Sequence, residues 1–329
     1  MTTTAAVSFL PWYDDLCSCL QVDVGLVLEH AGWDPVQALG SGWRFTAPTG
    51  PVESVEYFHP AGDRLGDHFC LNHPVTLRWH SPTDGERAHR DLVAALDEDV
   101  CPVVAVNNYH LPFRPAYHDV HAAHLVVVTG YDERAGTYRV VDPMPPAFRG
   151  ELDRAVLAEA RSSISLHDDS DPFFAGDPPA WRWLEVRRDG PQPELDPAWL
   201  REVVRDNVAA MRDPAQGPAL LARVLEELPD RVRRDGDRAL RELYVLGWPA
   251  QAEASLHSTF LTRAGLRLDR PDVVEAARWV DLVAHGWTGL RVSAAHGGDV
   301  ARVTDLGGRL LGHWEQCLRR LETLLRGGS

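Results

Sequence analysis

Residues able to perform covalent chemistry concentrate in the first half of the sequence. Cys17 and Cys19 lie where an apolar helical pattern begins, CSCLQVDVGLVLEHA over 17–31. A thiol at a helix N-terminus feels a partial positive charge, and an imidazole beside it supplies the base that makes it a nucleophile. His124 opens one valine-rich run, HLVVVT at 124–129, and Asp142 closes the next, TYRVVD at 137–142. A short hairpin between those runs brings the Asp142 carboxylate to the far nitrogen of the His124 ring, where it fixes the tautomer and stabilises the imidazolium. Cys19, His124 and Asp142 are therefore the expected catalytic residues, with Cys17 the alternative nucleophile, and acyl transfer through a cysteine thioester is the expected chemistry.

The elements that must position these groups follow from periodicity. Leu20, Val24, Val27, Leu28 and Ala31 recur at helical spacing, Asp14 and Asp15 stand ready as caps, and Gly32 ends the helix. Short strands are expected within 41–81 (WRFTA, VESVEYF, VTLRW), then a helix over 84–98. Strands at 102–107, 124–129 and 137–142 form the core, with GYDERAG at 130–136 connecting the last two, and a helix follows at 151–161. The pattern changes near residue 190, and RRDGPQPELD at 187–196 reads as a linker. Beyond it helices are expected at 197–212, 216–228, 230–246, 249–263, 272–291 and 298–325, with Pro214, Pro229, Pro249 and Pro271 at boundaries. The predicted architecture is an α+β domain over 1–190, a helix packed on a small antiparallel sheet, followed by an all-α bundle over 195–329.

Composition excludes several alternatives. The 329 residues carry a net charge of −15 and no lysine, against the clustered cations that nucleic-acid binding requires. No apolar run reaches the roughly 20 residues that span a bilayer, and the opening MTTTAAVSFLPWYDD lacks the basic region of a secretory signal. Five scattered cysteines, Cys17, Cys19, Cys70, Cys101 and Cys317, read as reduced thiols in a cytoplasmic protein. Cys70, Cys101 and Cys317 read as small buried hydrophobes. His118, His121 and His124 are spaced by three, but three-residue spacing aligns ligands only on a helix and this stretch reads as a loop, so no metal is expected. His121 and Tyr117 are instead candidates to contact the acceptor or support the site. Trp199, Trp248, Trp279, Trp287 and Trp314 read as core packing, and RVRRDGDRALR at 231–241 as a solvated face or a phosphate-attracting one.

Three segments carry a resemblance: Cys19 followed at thirteen residues by Gly32, VNNYHLPFRPAYHDVHAAHLVVVTGYD at 106–132, and YRVVDPMPPAF at 138–148. They are similar to the family of butirosin biosynthesis protein H (BtrH), and HSTFLTRAGLRLDRPDVVEAARWVDLVAHGW at 257–287 resembles the helical domain that follows in it. The resemblance implies a papain-like fold and an acyltransferase of antibiotic or other natural-product biosynthesis. Its donor would be an acyl carrier protein thioester with a phosphopantetheine arm, its acceptor a small-molecule amine, and it would bind no cofactor of its own. Papain-like enzymes usually place a glutamine before the cysteine as an oxyanion donor, whereas FLPWYDDLCS has none. The backbone N–H of Cys19, with Gln21, Tyr13 or Asn108, must then fill that role. A peptidase, amidase, thioesterase or cyclase on the same triad is the enzymatic alternative, and a non-catalytic scaffold the alternative of another class. The helical half offers a face for a homodimer, and no membrane or nucleic-acid partner is expected.

Overall fold

Alternating valines on three adjacent strands build the centre of the first half. The structure, a computed structural model, describes residues 12–46, 69–162, 179–295 and 299–326. These residues form two compact units, one from 12–35, 75–162 and 179–190, the other from 36–46, 69–74, 191–295 and 299–326. The unit containing the candidate residues is α+β, with a small antiparallel sheet, and the C-terminal region is helical.

In the α+β unit, β1 (Val75–His80), β2 (Val103–Asn107), β3 (Ala123–Asp132), β4 (Thr137–Asp142), β5 (Phe148–Asp153) and β6 (Trp183–Arg188) form one sheet of order β1-β6-β2-β3-β4-β5. All of its pairings are antiparallel, with Val106 opposite His124 and Val127 opposite Val141. Side chains alternate across a strand. Val104, Val106, Val126, Val128, Tyr138 and Val140 therefore share one face, packed with Leu92 and Ala95 of α3 (Gly85–Asp97) and Leu157 and Ala160 of α4 (Arg154–Ser162). Val103, Ala105, Leu125 and Val127 point to the opposite face and are equally buried, and α1 (Cys19–His30) lies against β3 and β6. Burial on both faces explains why β2 and β3 read as continuous valine runs.

The start of α1 differs from the sequence expectation. The helix begins at Cys19, not Cys17, and its N-cap is Ser18 rather than Asp14 or Asp15. Ser18 Oγ accepts the Gln21 backbone N–H at 3.2 Å while Gln21 Oε1 accepts the Ser18 N–H at 3.0 Å, a reciprocal capping box. Gly32 does end the helix, with φ of +81°, its N–H bonded to Glu29 O and that of Trp33 to Leu28 O. Only a residue free of a Cβ adopts that left-handed turn readily.

Other expected elements shift as well. The WRFTA strand is absent at 43–46, and the expected strand at 52–58 lies outside the described residues. Strand β3 runs on to Asp132, so the connection to β4 is 133–136, and β5 takes the start of the expected helix, which begins at Arg154. The run WRWLEV at 181–186, unassigned in the sequence, supplies most of β6, which begins at Trp183 and lies between β1 and β2.

In the other unit, α2 (Pro35–Gly40) joins α5 (Pro197–Arg212), α6 (Gly217–Asp235), α7 (Asp237–Arg267), α8 (Pro271–Ala295) and α9 (Val300–Arg326). Pro229 and Pro249 lie inside α6 and α7 instead of at their ends, so three expected helices become two. Proline removes one backbone bond and strains a helix, and here the extensive packing of α7 on α8 and of α6 on α9 carries the helices through. Trp43, expected on a strand, stacks between His257 and Trp314. Trp287 and Trp314 are fully buried, and His257 Nδ1 donates to Gly40 O at 2.8 Å. A Cβ at Gly40 would stand 2.5 Å from Leu256 O, so this close approach needs glycine. No described helix is long and apolar enough to cross a membrane.

Candidate active site

Cys19, the first residue of α1, is buried at 7% exposure. The backbone N–H groups of Leu125, the residue after His124, and of Leu20 act on its sulfur. Those two donors favour a thiolate, but burial opposes it more strongly, and Asp23 and Asp142 add like charge, so the Cys19 thiol is held well above its ordinary value of 9.0. The helix N-terminus therefore does not produce the lowered pKa that its position predicts. Desolvation in the packed core exceeds the dipole effect, and the resting group is a neutral thiol.

His124 is the second residue of β3 and is 4% exposed. Its Nε2 lies 2.8 Å from Asp142 Oδ2. Asp142, the last residue of β4, has no exposed surface. Its carboxylate also accepts Arg114 Nη1 at 3.1 Å and the Met144 backbone N–H at 3.0 Å. Arg114 donates in turn to Met144 O at 3.0 Å, which locks the turn after β4 around the carboxylate. A carboxylate held by three donors is fixed in place, which suits it to orient an imidazole. Arg114 is not among the residues expected from the sequence. Its signal was a lone cation in a loop of aromatic residues and histidines.

Asp23 is a second residue outside that expected set. It lies one helical turn after Cys19 on the same face, has no exposed surface, and neither carboxylate oxygen has a hydrogen-bond partner among the described residues. Burial, then the charge of Asp142, push it well above its ordinary value of 3.8, while Arg114 opposes the shift. An unpaired carboxylate there would be very costly, so the group is a neutral acid. A charged residue inside the apolar face of α1 was the visible clue.

The other candidate residues separate by location. Cys17 precedes the helix in the turn closed by its N–H to Asp14 O at 3.1 Å. Burial and a hydrogen bond to Asp14 raise its thiol well above the ordinary range, and a carboxylate neighbour is the wrong sign for a nucleophile. Tyr13 bonds to Asp15 and is likewise pushed upward, chiefly by burial. Gln21 is held by its capping oxygen, and its buried Nε2 has no partner among the described residues, which leaves that N–H pair available. Asn108 begins a short 3₁₀ turn, and its buried side-chain oxygen is likewise unpartnered among the described residues.

His121 belongs to an aromatic cluster on the loop between β2 and β3. Its ring stacks on Tyr109 at 4.1 Å, and Asn107 Nδ2 lies 2.8 Å from its Nδ1. Asn107 is fully buried and also accepts the backbone N–H groups of Tyr109 and Ala122, so it fixes both ends of the loop. Tyr117 is exposed and stacks on His118 at 3.9 Å. His118 and His121 both meet the Tyr109 ring, whereas His124 pairs with Asp142. In the helical unit, Arg231 and Arg238 pair with Glu242, Arg233 with Asp230 and Arg234 with Asp235, so most of the basic run at 231–241 is internally neutralised.

The fold is an α+β unit in which Cys19 stands at the start of a helix, His124 near the start of one strand and Asp142 at the end of the next. Residues 18–143, less than half of the chain, match the family model of butirosin biosynthesis protein H, N-terminal. That stretch contains Cys19, Asp23, Arg114, His124 and Asp142, and the family suggests a biosynthetic enzyme. A search of curated proteins finds no match to the chain.

Proposed function

We propose that the protein is a cysteine-dependent acyltransferase of papain-like design, moving an acyl or aminoacyl group from a carrier-protein thioester to an amine in natural-product biosynthesis. The observation that supports this most is the pairing of His124 Nε2 with Asp142 Oδ2 at 2.8 Å beside the N–H of Leu125 that meets the Cys19 sulfur. A helix carrying the cysteine against an antiparallel sheet carrying the other two is the papain-like layout. The domain holding the triad would be 1–190, with 195–329 as the helical partner domain. Five unpaired cysteines suit a reducing cytoplasm.

A neutral Cys19 implies deprotonation during attack. Sulfur bonds to the donor carbonyl as His124 Nδ1 takes its proton, and the imidazolium is stabilised by Asp142. The Cys19 backbone N–H, at the first helical position, and the unpartnered Gln21 amide are the oxyanion donors at hand. The tetrahedral adduct expels the carrier thiolate, which receives the proton from His124. The acceptor amine then attacks the Cys19 thioester, His124 removes its proton, and collapse returns a protonated Cys19 and an amide. Thioester exchange is nearly isoenergetic and aminolysis is downhill, so neither step needs a cofactor. The substrate brings a phosphopantetheine arm, and His121 and Tyr117 would meet the acceptor.

The test is intact mass after exposure to acyl carrier thioesters, with and without amine. A covalent acyl adduct on the wild type and on Cys17→Ala, absent from Cys19→Ala, supports the assignment. An adduct retained in Cys19→Ala refutes it, and conversion to free acid despite added amine identifies a hydrolase.

A further inference from the structure

A cavity of about 1010 Å³ opens in the α+β unit beside α3 and α4. None of Cys19, Asp23, Arg114, His124 or Asp142 lines it. Its wall includes Arg161, Tyr138, His89 and Trp181, and its rim Asp84 and Asp153. Arg161 is only 3% exposed, yet it has no ion-pair partner among the described residues. Its Nη2 donates to Trp181 O at 2.6 Å and its Nε has no partner among them. The carboxylate whose charge reaches it is Asp91, which is itself paired with Arg87 at 2.7 Å. A buried guanidinium without a counter-charge is unfavourable, and an anion entering the cavity relieves it.

The surroundings restrict what that anion belongs to. Tyr138 Oη lies 2.5 Å from His89 Nδ1, and burial keeps the phenol protonated to about 12, so it donates to a neutral imidazole. The Trp181 indole lies 5.8 Å from the Arg161 guanidinium and offers a flat apolar surface. Ala180 and Trp181 are consecutive residues with positive φ, 47° and 61°, a conformation side chains resist. That backbone turns the Trp181 carbonyl onto Arg161 and brings its ring so close to Gly85 that a Cβ there would lie 2.9 Å away. At the rim, Glu86 is neutralised by Arg154 at 2.6 Å, whereas Asp84 and Asp153 form no ion pair among the described residues. Two negative rim groups repel a multiply charged anion and attract a cation.

We propose that this cavity is a second binding site for a small zwitterionic amino carboxylate, its carboxylate on Arg161, its apolar part on Trp181 and its ammonium toward Asp84 and Asp153. The site is separate from the thiol centre and does not depend on the acyl-transfer assignment.

Calorimetric titration of the full chain with L-phenylalanine, 3-phenylpropanoate and 2-phenylethylamine tests it, because the three differ only in which charges they carry. L-phenylalanine binds at least about tenfold more tightly than either analogue, a difference within reach of one added charge interaction in a cavity. Arg161→Met weakens L-phenylalanine about tenfold or more without lowering the melting temperature, since an unpaired buried charge is replaced by an apolar chain. Asp84→Asn, which keeps the cap of α3, weakens L-phenylalanine but leaves 3-phenylpropanoate unchanged. The proposal is overturned if no probe binds, if 3-phenylpropanoate equals L-phenylalanine, or if Arg161→Met binds normally. It is equally overturned if His124→Ala abolishes binding, which would place the ligand at the thiol centre.

Discussion

Replacing Asp23 with asparagine changes how stability depends on pH, and the direction follows from burial. Asp23 has no exposed surface and no hydrogen-bond partner among the described residues, and its carboxyl is held well above 3.8. The folded protein therefore keeps a proton that the unfolded chain releases above about pH 3.8. The stability tied to that proton is complete below pH 3.8 and is lost progressively as the pH rises toward the folded pKa. Within that window one extra bound proton gives a slope of about 1.4 kcal/mol per pH unit. Against a total stability of roughly 5–15 kcal/mol, that is readily measured. The asparagine side chain has nearly the same volume and cannot titrate, so the slope disappears while every other ionisable group contributes equally to both proteins. Urea unfolding of both proteins in steps from about pH 4 to pH 7 gives the difference directly. The Asp23→Asn variant gains on the wild type by up to about 1.4 kcal/mol per pH unit. Parallel stability curves over that range would refute the neutral buried acid.

Three further outcomes are expected. Arg114→Met removes a donor from the buried Asp142 carboxylate and from Met144 O; kcat for the proposed acyl transfer falls by about tenfold to a hundredfold, read by single-turnover kinetics, with the fold retained by circular dichroism. Ser18→Ala removes the cap of α1 and releases Gln21, lowering stability by about 1 kcal/mol in a urea titration; an unchanged midpoint would show that the capping box contributes nothing. His257, buried and stacked on Trp43, is pushed by burial to about 4, so neutral imidazole is favoured in the fold. Its stabilising contribution is complete above about pH 6.5 and declines as the pH falls toward 4, and His257→Phe shows a shallower acid loss by scanning calorimetry.

Much of the site was legible in the chain itself. The valine runs marked β2, β3 and β4 because strands buried on both faces must be apolar throughout, and that placed His124 and Asp142 on neighbouring strand ends. The helix after the thiols was visible in its apolar spacing, and Gly32 marked its end because a left-handed residue was required. Ser18-Cys19-Leu20-Gln21 also carried a capping signature that separates Cys17 from Cys19, since a cap residue stands between them.

Other features depended on residues distant in sequence. Strand β6 pairs with both β1 and β2, and nothing local distinguishes WRWLEV from a helix or a loop. Pro229 and Pro249 read as helix ends because local propensity ends helices there, whereas packing across the bundle decides otherwise. Trp43 lies in no strand because its partners, His257 and Trp314, come from far along the chain. The ionisation of the site was the least legible property. A cysteine at a helix N-terminus predicts a lowered pKa, yet Cys19 is held as a thiol and Asp23 as an acid. The sequence by itself determined which strand and helix ends carry the thiol, imidazole and carboxylate, because apolar periodicity is written locally. The tertiary structure alone decided the ionisation of Cys19 and Asp23 and brought Arg114 to Asp142, because desolvation and charge depend on what the fold packs around each group.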